Sequence, residues 1–235
     1  MQNHNINSSC SLSSAIIIAN GEQCSNELLE NILRETNYIV VLDAAIDRVL
    51  ALGIKPSVLL GDFDRALNPS VYQQKHPEIE IIHSPNQHKT DLEKAFDFLL
   101  LKEVQSVKVV WATGRRSDHF FANISCIVNY RKTLDITIID DYSKIILLKT
   151  KYEKWYAAGT IISLIPLGKV IGISTKNLMY SLNNEELNSG YRMGNSNSVL
   201  RDGIVSIEHE SGDLLLMECV DWPYLFFLFI GFISV

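Results

Sequence analysis

The sequence predicts an α/β domain with a mainly parallel sheet, followed by an all-β domain of sandwich or jelly-roll type. Three observations carry this. Up to Arg131, short apolar runs alternate with longer stretches of helical spacing, as strand–helix–strand units require. After Arg131 the runs are short and strand-like, and turn formers rather than helices separate them. The chain has 235 residues, 47% hydrophobic and 20% charged, which suits one large core or two small ones and rules out wholesale disorder.

In the first half, Ala15 to Ala19 is a buried-strand run and Asn26 to Arg34 follows with helical spacing. Tyr38 to Leu42 is the second strand, and Ala44 to Leu52 is a helix closed by Gly53 and Pro56. Ser57 to Leu60 and Glu78 to Ile82 are the third and fourth strands. Thr90 to Leu101 is a helix, Val107 to Trp111 the fifth strand and Ser117 to Tyr130 a further helix. In the second half the strands are Asp135 to Ile139, Lys144 to Lys149, Thr160 to Ile165, Val170 to Ser174, Gly203 to Glu208 and Asp213 to Met217. Gly168, Asn183-Asn184 and Ser211-Gly212 supply turns between them. The boundary falls near residue 131, giving domains 1–131 and 132–235, with no long linker between them.

Composition narrows the function classes. Lys and Arg number 21 against 27 Asp and Glu, a net charge of -6, so a non-specific nucleic-acid binder is not expected. Cys10, Cys24, Cys126 and Cys219 are far apart and form no CxxC, which argues against a disulfide scaffold and a cysteine-rich zinc site. Met1 to Ser14 is polar and lacks the layout of a signal peptide, which predicts a cytoplasmic protein. Pro223 to Val235 carries no charge, but a bilayer span takes about 20 apolar residues. It reads as a tail packed on the fold or at a subunit contact, with membrane association the minority reading.

In open α/β sheets, ligands bind beyond the carboxyl ends of the strands. Asn20-Gly21-Glu22 follows the first strand, Asp43 the second and Gly61-Asp62-Phe63-Asp64 the third. A loop after the fourth leads to Lys89-Thr90-Asp91, and Gly114-Arg115-Arg116-Ser117-Asp118-His119 follows the fifth. Asp62 and Asp64, two residues apart in an extended segment, lie on one side of it. By themselves they are also an Asp-rich turn. With acids after the neighbouring strands, a hard cation such as Mg²⁺ is the better reading, because it takes oxygen ligands and shares substrate phosphates. Thr90-Asp91-Leu92-Glu93 fits a capping box, in which Asp91 need only complement the helix dipole. At the last loop, Gly114 admits close backbone approach, the helix start favours anions, and one arginine offers a planar fork for phosphate oxygens. A solvated turn with Ser117 as cap is the plainer alternative. Neither a Walker A motif nor GxGxxG nor GxSxG is present.

Taken together, the segments resemble the thiamin pyrophosphokinase (thiamine diphosphokinase) family. The matching segments are IIIANGE at 16–22, LGIKPSVLLGDFD at 52–64, KTDLEKAF at 89–96 and GRRSDHFFANI at 114–124. They continue with GTIISLIPLG at 159–168, STKNLMYSL at 174–182, GNSNS at 194–198 and SGDLLLM at 211–217. The combination of GDFD, TDxxKA and GRxSDH-type motifs is what makes the resemblance specific.

The resemblance implies an α/β catalytic domain, a β-sandwich, and a homodimer with active sites between subunits. It implies transfer of the pyrophosphoryl unit of ATP to the thiamine hydroxyl, giving AMP and thiamine diphosphate. By position, Asp62, Asp64 and Asp91 match the acids around Mg²⁺ and the ATP phosphates, and Asp43 the acid after the second strand. Arg116 and Asp118 match the turn after the fifth strand, where Gly114 begins the motif. Asn20 and Gly21 match the first-strand loop near the nucleotide, and Ser196 and Asn197 the pair that helps hold thiamine. The chain departs from the family pattern at Ala44 and Ala45, Arg65, Asn177 and Ser198, where glycine, Ser, Gly and Glu are usual in turn. Trp155 or Tyr180 could offer a cation–π wall to the thiazolium, though core packing is the favoured reading for both. Two rivals remain: a metal-dependent nucleotide-sugar transferase, which would use Asp62 and Asp64, and a thiamine- or nucleotide-binding module without turnover.

Overall fold

The computed structural model describes residues 12–64 and 68–221. The first half builds strands β1 (Ser14–Ile18), β2 (Ile39–Leu42), β3 (Val58–Gly61), β4 (Glu80–His83), β5 (Ser106–Val110) and β6 (Asp135–Ile139). Between them lie helices α1 (Asn26–Leu33), α2 (Ala45–Ala51), α3 (Pro69–Lys75), α4 (Asp91–Leu101) and α5 (Ser117–Cys126). The predicted helix to Tyr130 tightens into a 3₁₀ turn over Ile127–Tyr130. The six strands are parallel in the order β4-β3-β2-β1-β5-β6.

Successive side chains of a strand point to opposite faces, and both faces here are apolar. Ile17, Val40, Leu60 and Val109 pack under Leu92, Ala95, Phe96 and Leu99 of α4 and Ile124 of α5. Ile16, Ile18, Val41 and Leu59 pack against Leu28, Leu29 and Ile32 of α1 and Ala45, Ile46 and Val49 of α2. The chain runs outward from β1 to β4, then returns to place β5 on the other side of β1. The strand order therefore reverses between β1 and β5, where such sheets leave a crevice.

The second half is antiparallel: β7 (Ser143–Leu147), β8 (Lys151–Tyr156), β9 (Ile161–Lys176), β10 (Glu185–Asn188), β11 (Gly194–Ser198), β12 (Gly203–Glu208) and β13 (Ser211–Cys219). β7 pairs with β6, so the ladder runs on from the parallel sheet into β13 and β9. The two strands predicted at Thr160 to Ile165 and Val170 to Ser174 are one 16-residue strand. Its first part pairs with β13 and β11, and its last part with β12 and β10. Gly168 and Gly172, with φ of 87° and 70°, let it turn from one leaf to the other. Ile162, Leu164, Val170 and Ile173 of β9 share a core with Leu214 and Leu216 of β13 and Val205 and Ile207 of β12. Among the described residues no helix is long and apolar enough to cross a membrane. The apolar run Pro223 to Val235 and the departure at Arg65 lie outside the described residues.

Candidate active site

The carboxyl ends of β2 and β3 and the start of α4 bring four carboxylates into one electrostatic neighbourhood. Asp43 follows β2 with φ 44° and donates its backbone N–H to the Leu60 carbonyl at 2.9 Å. Ala44, where the family has glycine nearby, sits in ordinary right-handed backbone, so this chain needs no glycine there. Gly61 lies close beneath Asp43: a Cβ on it would come within 3.2 Å of Asp43 Oδ1 and of the Phe63 ring. That same Oδ1 is buried without a hydrogen-bond partner.

Asp62 Oδ1 accepts from the Asp64 backbone N–H at 3.4 Å, and its Oδ2 accepts from Gln87 Nε2 at 3.3 Å. Lys94, its side chain only 4% exposed, stands 2.9 Å from Asp91 Oδ1 and 3.6 Å from Asp62 Oδ2. It projects from the first turn of α4, where Thr90 and Glu93 make the predicted capping box at 3.2 and 3.0 Å. Thus Asp62 and Asp91 share one buried ammonium, with Asp43 and Asp64 in the same electrostatic neighbourhood.

Their titration reflects this. Burial raises the Asp43 carboxyl above the usual range; the Ala44 N–H opposes this, and Asp91, Asp62 and Asp64 push it further up. Burial would raise Asp62 as well, but the Asp64 N–H, Lys94 and Gln87 outweigh it and hold it low. Among the described residues no three acids already stand at metal-ligand spacing. The orphaned Asp43 oxygen and the surplus of oxygen donors nevertheless suit a hard cation, which would relieve the repulsion.

The sign of the Asp43 shift gives a prediction. A carboxyl with a raised folded-state pKa costs no stability below its unfolded pKa. The penalty grows as pH rises to the folded pKa and stays constant above it. Asp43→Asn is therefore expected to melt higher than the parent at pH 7.5 in EDTA, with the gap closing towards pH 3. Equal melting at both pH values would show that Asp43 is not strained.

The loops after β1 and β5 interlock beside this cluster. Gly21 N–H donates to the Trp111 carbonyl at 2.6 Å, and Glu22 N–H to the Thr113 carbonyl at 2.9 Å. Gly114, at φ 71°, lies against Glu22, where a Cβ would meet the Glu22 Cβ at 2.4 Å. The predicted turn of Arg116 and Asp118 closes on itself: Arg116 Nε donates to Asp118 Oδ1 at 3.1 Å, and the His119 N–H to the same oxygen at 3.0 Å. The hydrogen bond from Arg116, above all, holds Asp118 low, and Asp118 in turn raises Arg116. Arg116, not Ser117, occupies the cap position of α5, and its side chain makes no capping hydrogen bond. A cavity of about 310 Å³ opens at these loop ends, lined by Thr113, Gly114, Arg115, Phe120, Asp141 and Tyr142 among others. It lies at the reversal of strand order.

Ser196 and Asn197 lie elsewhere. Ser196 has φ 54°, and its N–H donates to Ser163 Oγ at 2.9 Å. Asn197 is buried; its Oδ1 accepts from the Tyr180 and Ser198 N–H groups, and its Nδ2 donates to the Tyr180 carbonyl. From β5 to β11 the order runs through β6, β7, β13 and β9, five strand spacings of ~4.8 Å, about 24 Å along the sheet. The acids follow β2 and β3, two and three strands beyond β5 in that order, so no strand pairing sets this pair beside them. Asn177 holds left-handed backbone at φ 63°, as expected of an Asn in place of Gly. Trp155 and Tyr180, favoured as core residues, are 52% and 71% exposed instead.

Sequence reasoning missed Lys94, Gln87, Arg48 and Trp111. Lys94 had a signal, since it lies three residues after Asp91 on the capped helix and so on the same face. Gln87 had none, because a loop of unpredictable path delivers it.

The family model described as "Thiamin pyrophosphokinase, catalytic domain" matches residues 29–139. That described as "Thiamin pyrophosphokinase, vitamin B1 binding domain" matches residues 146–214. A Bacillus subtilis relative named "Thiamine pyrophosphokinase" is 27% identical over 199 residues, covering 78% of this chain and 88% of the relative. A crystal structure of thiamine pyrophosphokinase from Bacillus subtilis is similar with a TM-score of 0.76 at 24% identity, covering 89% of this chain and all of that one. The structure of thiamin pyrophosphokinase from Candida albicans gives a TM-score of 0.77 at 16% identity, covering 89% and 90% of the two chains. At these identities the structural likeness speaks for the fold.

Proposed function

Because the chain belongs to the thiamin pyrophosphokinase family, we propose that it transfers the pyrophosphoryl unit of ATP to the hydroxyl of thiamine, giving AMP and thiamine diphosphate. The observation that carries this reading is the cluster of four carboxylates, Asp43, Asp62, Asp64 and Asp91, in which one buried ammonium pairs with Asp62 and Asp91. Such a surplus of negative charge suits a polyphosphate substrate only together with a cation. It also suits the positive thiazolium of thiamine.

Asp62, Asp64 and Asp91 would hold Mg²⁺. When bound, the ion supplies charge neutralisation at the phosphate oxygens. The protein's own work is positioning and electrostatics, as in phosphoryl transfer generally. Lys94 fixes Asp62 and Asp91 relative to each other. Arg116 and the Gly114 turn face the anionic leaving side, with Asn20 and Gly21 against the nucleotide. The thiamine hydroxyl oxygen forms a bond to the β-phosphorus, the bond from that phosphorus to the AMP oxygen breaks, and the hydroxyl proton passes to a carboxylate. The raised pKa of Asp43 suits it to that task.

The place of Ser196 and Asn197 on β11, remote from β2 and β3 in the strand order, supports a homodimer in which this pair of one protomer reaches the carboxylate edge of the other. On this reading residues 1–131 form the catalytic unit and 132–235 the thiamine-binding and dimerisation unit of a cytoplasmic enzyme. The test is to incubate the protein with ATP, Mg²⁺ and thiamine and to separate the products. Equal amounts of AMP and thiamine diphosphate are expected, and none after EDTA. Release of a nucleoside diphosphate would point to the sugar-transferase reading. Ligand binding without AMP would leave a module without turnover.

A further inference from the structure

Arg48 projects from α2 into the place where the β1 and β5 loops interlock. Its Nη1 donates to the Gly21 carbonyl at 3.1 Å and its Nη2 to Asn20 Oδ1 at 2.9 Å. The guanidinium carbon lies 4.6 Å from the centroid of the Trp111 ring. Trp111 is fully buried, in left-handed backbone at φ 57°, and its carbonyl receives the Gly21 N–H. One side chain thus fastens two loops, Asn20–Glu22 and Trp111–Gly114, to helix α2.

The charge balance of this group is unusual. Among the described residues no carboxylate lies within ion-pair distance of Arg48; two neutral oxygens and an aromatic face hold it. The nearest influences on it are Arg115, of like charge, and Glu22, which Arg115 already engages at 3.6 Å. Taking a cation partly out of water is costly unless an anion compensates it. At the edge where the strand order reverses, the described residues place no carboxylate in contact with this guanidinium.

We propose that Arg48 is the positioning residue of the nucleotide side of the site, locking the Asn20–Gly21 loop against the Trp111–Gly114 turn and leaving a positive charge that the ATP phosphates complete. This rests on the reading that ATP binds at this edge. A lysine cannot reproduce it, since an ammonium has neither the planar fork nor the stacking face.

The test uses Arg48→Lys and Arg48→Met in the full chain. Both variants should fold, because the side chain fills no core. Direct binding of ATP with Mg²⁺ is measured by calorimetry, and KM and kcat by thiamine diphosphate formation. We expect ATP affinity to fall about tenfold in the lysine variant, equivalent to about 1.4 kcal/mol, and further in the methionine variant. KM for thiamine should stay within twofold. Unchanged ATP affinity in both variants overturns the proposal, as does an equal rise in KM for ATP and thiamine. If the parent binds ATP but forms no thiamine diphosphate, the proposed reaction fails while the calorimetric comparison still decides the role of Arg48. If the parent binds no ATP, the proposal falls with the nucleotide reading, and circular dichroism of a folded parent identifies that case.

Discussion

Asp62→Asn and Asp91→Asn are each expected to lower turnover by ~10²-fold or more, with the fold retained. That magnitude follows from removing one preorganised charge at a site of developing charge. The substitutions keep shape and remove an anion. Lys94 remains paired in either variant, with Asp91 at 2.9 Å when Asp62 is changed and with Asp62 at 3.6 Å when Asp91 is changed. Asp91→Asn should therefore cost the more stability of the two, since it leaves the buried ammonium its weaker partner. The check is kcat at saturating ATP and Mg²⁺ beside thermal melting. Turnover near normal in both variants would remove these acids from the metal site.

Gly21→Ala carries the second large effect. An added Cβ would lie 2.3 Å from the Trp111 carbonyl oxygen and 2.6 Å from that of Thr113. Both are backbone atoms of the β5 loop and cannot rotate aside. The loops must separate, which breaks the 2.6 Å hydrogen bond from Gly21 N–H to Trp111 and displaces the carbonyl that Arg48 grips. We expect a loss of about 1–3 kcal/mol in stability, typical of overpacking, and at least tenfold weaker ATP binding. Gly159→Ala is the control. Gly159 has φ 81° and no neighbour within 4 Å of an added Cβ, so only backbone strain of ~1–2 kcal/mol applies and ATP binding should not change. Equal effects on ATP affinity at the two positions would show that the tight loop contact plays no part in the site.

The parallel half was legible because its inner strands are continuous apolar runs. β1, β2 and β3 are apolar nearly throughout and buried on both faces. Helix α3 escaped notice because none of its residues is buried, so it has no apolar stripe to betray it. β10 and β11 bury one residue each, Leu187 and Asn197, too little to give a period. β8 alternates burial, but its sequence KYEKWY places charges at exposed and half-buried positions alike. β9 read as two strands because Pro166 and Gly168 look like a break; the left-handed glycines instead let one strand serve two leaves.

Asp43, Asp62 and Asp64 were legible because each follows a strand end, where topology brings neighbours together, and Asp91 because the loop after the fourth strand leads to it at the capped start of α4. Of the site's cations, Arg116 was singled out, while Lys94 and Arg48 were not. The spacing of Lys94 from Asp91 on one helix face is visible in the sequence, but its reach to Asp62, and that of Arg48 to the β1 loop, cross loop boundaries that no spacing encodes. Ser196 and Asn197 were singled out by resemblance alone, and only the strand order shows how far along the sheet they lie.

The proposed reaction moves a pyrophosphoryl unit, breaking ATP between its α- and β-phosphates. The direct measurement is a single turnover with thiamine, Mg²⁺ and ATP labelled in the β-phosphorus, followed by separation of the products. Pyrophosphoryl transfer places all transferred label in thiamine diphosphate and none in AMP. Label in ADP, with thiamine monophosphate formed, or in free pyrophosphate would contradict it.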